Sequence, residues 1–184
     1  ESRREARTTP SGAIVLLPDQ DRSRWDRALI DEGQDLVRAC LRRSRPGPYQ
    51  VQAAINAVHS AAMVAADTDW AQILQLYDQL MALAPTPVVA LNRAVAVAEV
   101  EGVDAALSQL DGLDLDNYHL FHATRAELLR RRGAVEEADM AYGQALALVA
   151  NPVERRFLEE RRSLNSVQAP PGQSRSVTES PPDR

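Results

Sequence analysis

LQLYDQLMALAPTPVV at residues 74–89 and DMAYGQALALVANPVE at 139–154 say nearly the same thing in the same order: an aromatic, a small or aliphatic pair, then proline. Tyr77 falls on Tyr142, Leu80 on Ala145 and Pro85 close to Pro152. The offset is nearly two units of about 34 residues. A weaker middle copy lies between them, where Gly102-Val-Asp-Ala-Ala-Leu parallels Gly133-Ala-Val-Glu-Glu-Ala. A repeat of this length, written in Ala and Leu with glycine at its turn, describes paired helices that stack.

Outward from the repeat, apolar residues keep helical spacing. Trp25, Leu29, Ile30, Leu36, Val37 and Leu41 recur from Arg22 onward, with Cys40 in the same rhythm as a buried thiol, and Arg-Pro-Gly-Pro at 45–48 stops the helix. Pro48 opens a second helix whose stripe is Val51, Ala54, Ile55, Val58 and Ala62. Asp67-Thr68-Asp69 supplies cap chemistry for a third helix over 70–84, closed by Pro85-Thr86-Pro87. Further helices are expected over 88–101, 103–110, 117–132, 135–150 and 152–164, with Gly102 and Gly133 at tight turns. No stretch of this region alternates with period two, so the expected fold is all-α. Residues 1–21 read as a linker arm in which Ala13–Leu17 can form a short extended piece, and 22–164 as the helical domain. Residues 165–184 lack the apolar content that offsets ordering entropy and read as a disordered tail.

The composition narrows the function classes. Hydrophobic residues are 45% and charged ones 26% of 184 residues, but aromatics only 4%, a balance that suits helices built on Ala, Leu and Val. The 21 basic residues are all arginine, a sign of high-GC bacterial coding, and the net charge of −5 gives no basic field to hold a phosphate backbone. Direct nucleic-acid binding is therefore not expected. The single cysteine cannot form an internal disulfide, and no run of about 18 apolar residues offers a membrane span. A cytoplasmic protein is expected. The opening ESRREARTTP has no initiator methionine, which points to a piece of a longer protein.

Gly133, Ala138, Tyr142 and Ala145 match the spacing of the tetratricopeptide repeat, which this unit resembles. In the first unit Tyr77, Leu80 and Pro85 fit, whereas Ile73 takes the small position and Thr68 the turn glycine; the middle unit is cut short near Asp111-Gly112. The resemblance implies antiparallel helix pairs stacked as a short right-handed superhelix, with the tyrosines wedged between helices and their hydroxyls near the surface.

Longer strings resemble a narrower family. LLPDQDRSRWDRALIDEG (16–33), RPGPYQVQAAINAVHS (45–60), DTDWAQILQLYDQLMALAPTPVVALNRAVAVAE (67–99), YHLFHATRAELLRRRG (118–133) and AYGQALALVANPVERRFLEER (141–161) look like the C-terminal, tetratricopeptide-like extension of a group of bacterial extracytoplasmic-function (ECF) sigma factors. That resemblance implies a regulatory, protein-contacting module with no cofactor. Its partners would be the sigma factor's own N-terminal domains, core RNA polymerase, and a DGPF-motif (YCII-related) protein.

The residues expected to meet a partner are Arg22, Arg24 and Trp25 at the arm, Asn92 and Arg93 in the groove, and Arg155 and Phe157 in the last helix. Each has a plain structural alternative. Asp21 or Ser23 can cap a helix while Trp25 enters the core and the arginines pair with carboxylates. Arg130-Arg131-Arg132 suits a solvated helix C-terminus, and Arg155, Arg156, Arg161 and Arg162 among Glu154, Glu159 and Glu160 suit i,i+4 pairing. His119 and His122 share a helix face and, with Glu127, define the alternative of a small-ligand sensor or hydrolase; a free-standing peptide-binding adaptor is the other. His59 stands alone. No phosphate loop, nucleophile elbow or zinc spacing is present, so an enzyme is not expected.

Overall fold

The computed structural model describes residues 2–42 and 47–167. Among them the fold is all-α: α1 (Arg27–Leu41), α2 (Pro48–Ala61), α3 (Trp70–Leu83), α4 (Pro87–Val100), α5 (Val103–Leu110), α6 (His119–Arg132), α7 (Val135–Leu148) and α8 (Pro152–Val167). Each helix packs on the next along the chain, and α4 also touches α6. Short connections oblige neighbours to run antiparallel, so the molecule is a file of helical hairpins.

The boundaries follow from local chemistry. Asp26, Asp69 and Thr86 side chains accept from the backbone N–H of Leu29, Gln72 and Val89, each satisfying a donor the first turn leaves orphaned. Pro48, Pro87 and Pro152 occupy first turns, where a missing N–H costs nothing. Gly102 (φ 101°) and Gly133 (φ 83°) take positive φ between α4 and α5 and between α6 and α7. At Gly133 the N–H groups of Gly133 and Ala134 close back onto Arg130 and Leu129 carbonyls, a left-handed helix end that an L side chain would strain.

The main core is continuous from α2 to α8. Ile73, Leu80, Val97, Leu110 and Tyr142 are its large members, and Ala94, Ala106, Ala126, Ala138 and Ala145 are fully buried between them. Of the positions the repeat equates, Leu80 and Ala145 are both buried, whereas Tyr142 is buried and Tyr77 only half-buried.

Several expectations need correction. The helix does not start at Arg22: Arg22–Arg24 form a 3-10 turn capped by Asp21, and α1 begins after Asp26. Leu29 and Leu36 are exposed, Leu36 by 61%, and Cys40 is only half-buried, because α1 ends the file and, among the described residues, packs chiefly on α2. Within Ala13–Leu17 a single antiparallel bridge joins Ile14 to Thr8, Leu16 is extended, and Leu17 opens a 3-10 turn. α8 continues to Val167, and its Asn165, assigned above to the tail, is fully buried and donates to the Val135 carbonyl at 2.9 Å. Residues 43–46, which include the first half of the expected helix stop at 45–48, and 168–184 of the expected tail lie outside the described residues. The Tyr142 hydroxyl is not near the surface but donates to Glu127.

Ile73 is 0% exposed where α3 meets its neighbours. Ile73→Ala should lower unfolding free energy by about 2–5 kcal/mol, through lost transfer energy and the cavity left behind, as read by urea denaturation of the purified chain.

Candidate protein-interaction groove

Residues 2–26 fold as a small unit of their own. Asp26 N–H donates to the Ser2 carbonyl, Val15 N–H to Arg7 and Thr9 N–H to Ala13, each at 2.9 Å. Ala6, Trp25 and Ile30 bury together, with Leu17 against them. The unit is anchored by Arg22, only 6% exposed, whose guanidinium stacks 4.7 Å from the centre of the Trp25 ring. Its Nη1 donates to the carbonyls of Ala62 (2.8 Å) and His59 (3.1 Å) at the end of α2. A buried cation here satisfies carbonyls that the helix leaves unpaired and sits at the negative end of its dipole.

Beyond this anchor, residues 11–18 run along a groove floored by α2, α4, α6 and α8. Ser11–Ile14 lie against Val153, Arg156 and Phe157 of α8, around a cavity of about 260 Å³. Leu16 faces Val95, Leu120, Ala123 and Phe157 across about 280 Å³. Leu17 borders two further spaces, about 510 and 570 Å³, that share His59, Tyr77 and Asn92. The arm thus visits the helices in reverse chain order, from α8 to α2.

The charges over the central part of the groove are paired within the chain. Glu127 accepts from Arg161 (2.6 Å), from Arg130 and from the Tyr142 hydroxyl (3.1 Å), tying α6, α7 and α8. Burial pushes the Glu127 carboxyl up, but the two guanidinium groups more than offset this and hold it below its ordinary range. Arg131 reaches Glu99 of α4 at 2.6 Å, and Arg162 grips Asp139 with two bonds of 2.7 and 2.8 Å.

The expected contact residues therefore divide. Asn92 is exposed and lines the groove, Phe157 is half-buried in it beside Leu16, and Arg24 is exposed beside the anchor. Arg22 and Trp25 are buried and are corrected from partner-binding to internal anchors; Arg22 meets carbonyls, not the carboxylates anticipated. Arg93 is likewise committed inside, bridging Asp78 of α3 and Gln109 of α5 at 2.7 Å each. Arg155 donates to the Val149 carbonyl at 2.7 Å. Arg130, Arg131 and Arg132 are not simply solvated: each has a carboxylate partner. Nor does α8 use i,i+4 pairs, since Arg161, Arg162 and Glu154 all reach other helices.

The residues of the sensor or hydrolase alternative do not converge. His119 Nε2 meets Glu154 at 3.0 Å, His122 Nε2 meets the Asp116 carbonyl at 2.8 Å, and Glu127 is held by arginines. Among the described residues no group of three or more His, Cys, Asp or Glu is placed to hold a metal ion, and no helix is long and apolar enough to cross a membrane. The sequence reading missed the arm's Leu16 and Leu17 and the groove residues His59, Tyr77 and Val95. The apolar run AIVLLP was the available signal.

Residues 1–41, the arm and α1, match the model of a family of unknown function, DUF6596. Over 172 residues, 92% of the chain, the sequence is 44% identical to Uncharacterized protein R00370 of Rhizobium meliloti (strain 1021), and it spans 40% of that protein's length. No solved structure matches the chain.

His59, edge-on to Trp70 and beneath the arm, has its imidazole pushed down to about 4 by burial and then by Arg3 and Arg22. The folded state thus binds fewer protons than the unfolded chain between the ordinary 6.5 and about 4. The contribution of this site is present above pH 6.5 and is lost as pH falls through that window. The thermal midpoint should drop on acidification from pH 7 to 4, and His59→Phe should flatten the drop in melts followed by circular dichroism.

Proposed function

We propose that the chain is a regulatory protein-interaction domain, tetratricopeptide-like in its packing, that belongs to an extracytoplasmic-function sigma factor and works in the bacterial cytoplasm. It acts by gripping polypeptide, not by chemistry on a substrate, and uses no cofactor. Its partners are the sigma factor's N-terminal domains and core RNA polymerase, with a DGPF-motif (YCII-related) protein as a further one.

The observation that carries the protein-binding part is the occupied groove: four helices present an apolar floor, and an extended stretch of polypeptide lies along it. Grooves between helices recognise peptides by side-chain anchors in this way. The strings shared with the sigma-factor extension carry the rest, and a share of 40% of the relative's length suits a module of a longer factor. In mechanism, docking on the sigma domains or polymerase favours one of two arrangements, inactive or promoter-competent, by its differential affinity for them.

A tagged copy of the chain should co-precipitate the separately expressed N-terminal sigma domains or core polymerase. Phe157→Ala, which truncates an aromatic in the groove, should weaken capture about tenfold and change transcription from a target promoter by the full-length factor. Unaltered capture and transcription with a folded variant would count against the groove as the contact.

A further inference from the structure

Arg3 is a half-buried cation without a counter-charge. Its guanidinium lies 5.8 Å from the centre of the Trp25 ring, and among the described residues it makes neither an ion pair nor a hydrogen bond. Burial first, and then Arg7 and Arg22, hold it below the ordinary arginine range, so the charges that bear on it are themselves cations. Arg93, Arg130, Arg131, Arg161 and Arg162 by contrast each meet a carboxylate. A guanidinium drawn partly out of water is costly to leave unpaired.

Arg3 lines an open depression of about 510 Å³ between the arm, α2, α3 and α4, and no aspartate or glutamate lines it. The other three spaces along the groove include a carboxylate as well as arginine: Glu160 with Arg156, Glu99 with Arg22, and Glu127 with Arg131 and Arg161. The rest of the wall around Arg3 is of two kinds. Ile55, Leu80, Val88 and Val89 are apolar, while His59, Tyr77 and Asn92 are polar and their side chains make no hydrogen bond among the described residues. With its imidazole pushed down to about 4, His59 is uncharged near neutral pH. The depression is of the size that small-molecule sites have, about 300–1,000 Å³.

We propose that this depression binds a small organic acid: one carboxylate paired with Arg3 and hydrogen-bonded by the neutral groups beside it, on a compact apolar body resting against α2, α3 and α4. A single unpaired cation suits a single negative charge, and the apolar wall suits a hydrocarbon body better than a bare inorganic ion. The ligand would touch the arm and three helices at once. This goes beyond the protein-interaction reading and does not depend on it.

The test uses the full chain near neutral pH, with binding read by ligand-observed NMR titration. Benzoate should bind saturably with a dissociation constant of about 10 mM or below. Benzamide, similar in shape but uncharged, should bind at least about tenfold more weakly, and benzylammonium not at all. Arg3→Gln should weaken benzoate by about tenfold or more. Arg4→Gln, the same change of charge at an exposed neighbour, should leave it within about twofold. If Arg3→Gln does not fold by circular dichroism, Val88→Glu serves: it sets a carboxylate at an exposed position in the first turn of α4 and should abolish benzoate binding.

No saturable benzoate binding, equal binding of benzamide, or equal losses in the two arginine variants would overturn the proposal. Inorganic phosphate binding as tightly as benzoate would overturn it too, leaving a plain anion site. So would much tighter binding of an acetylated tripeptide ending in leucine, which would assign the depression to the C-terminus of a peptide.

Discussion

Alanine at the helix crossings is the constraint on which the structure depends. Ala94, Ala106, Ala126, Ala138 and Ala145 are fully buried where successive helices meet, and a methyl group there lets backbones approach closely. It also leaves each helix with little apolar surface of its own, since burial stabilises by about 25 cal/mol per Å². Two helices cannot make a core this way. A file of them can, because Ile73, Leu80, Val97, Leu110 and Tyr142 fill the spaces that the alanines open between neighbours.

A file has ends, and polar contacts close them where apolar ones run out. At the start, Arg22 meets the final carbonyls of α2 and stacks on Trp25, so the arm and α2 share a single anchor. At the finish, Arg162 holds Asp139 with both arms of its guanidinium and Asn165 reaches Val135, fastening α8 to α7. Glu127 joins three helices through one carboxylate. Such bonds add direction more than energy, because desolvating an ion offsets much of its attraction. Their role is to fix how the last helices sit, and so the width of the groove between α6 and α8.

What was legible in the sequence was whatever depends on near neighbours in the chain. Asp69 and Thr86 as caps, Pro48 and Pro152 as helix openings, and Gly102 and Gly133 at turns are local chemistry, and α5 spans Val103–Leu110 as the pattern indicates. The groove was less legible. Asn92 and Phe157 line it, whereas Arg22 and Arg93 have partners within the chain, which an arginine in sequence does not reveal. Arg22 finds its carbonyls some forty residues away, at His59 and Ala62. Likewise, AIVLLP reads as a short extended piece of a linker arm when alone, and its place in the groove depends on helices far along the chain.

The arm also resolves a difficulty that the groove creates. An uncovered strip of Val95, Leu120, Ala123 and Phe157 would be an apolar patch of the sort that draws proteins into unspecific association. Residues 11–18, which make no hydrogen bond to these helices among the described residues, cover the strip in part: Val95, Ala123 and Phe157 are half-buried and Leu120 stays 45% exposed. Pairing the local arginines with Glu99 and Glu127 removes a second source of unspecific attraction, which an acidic molecule with unpaired groove cations would present to its own copies.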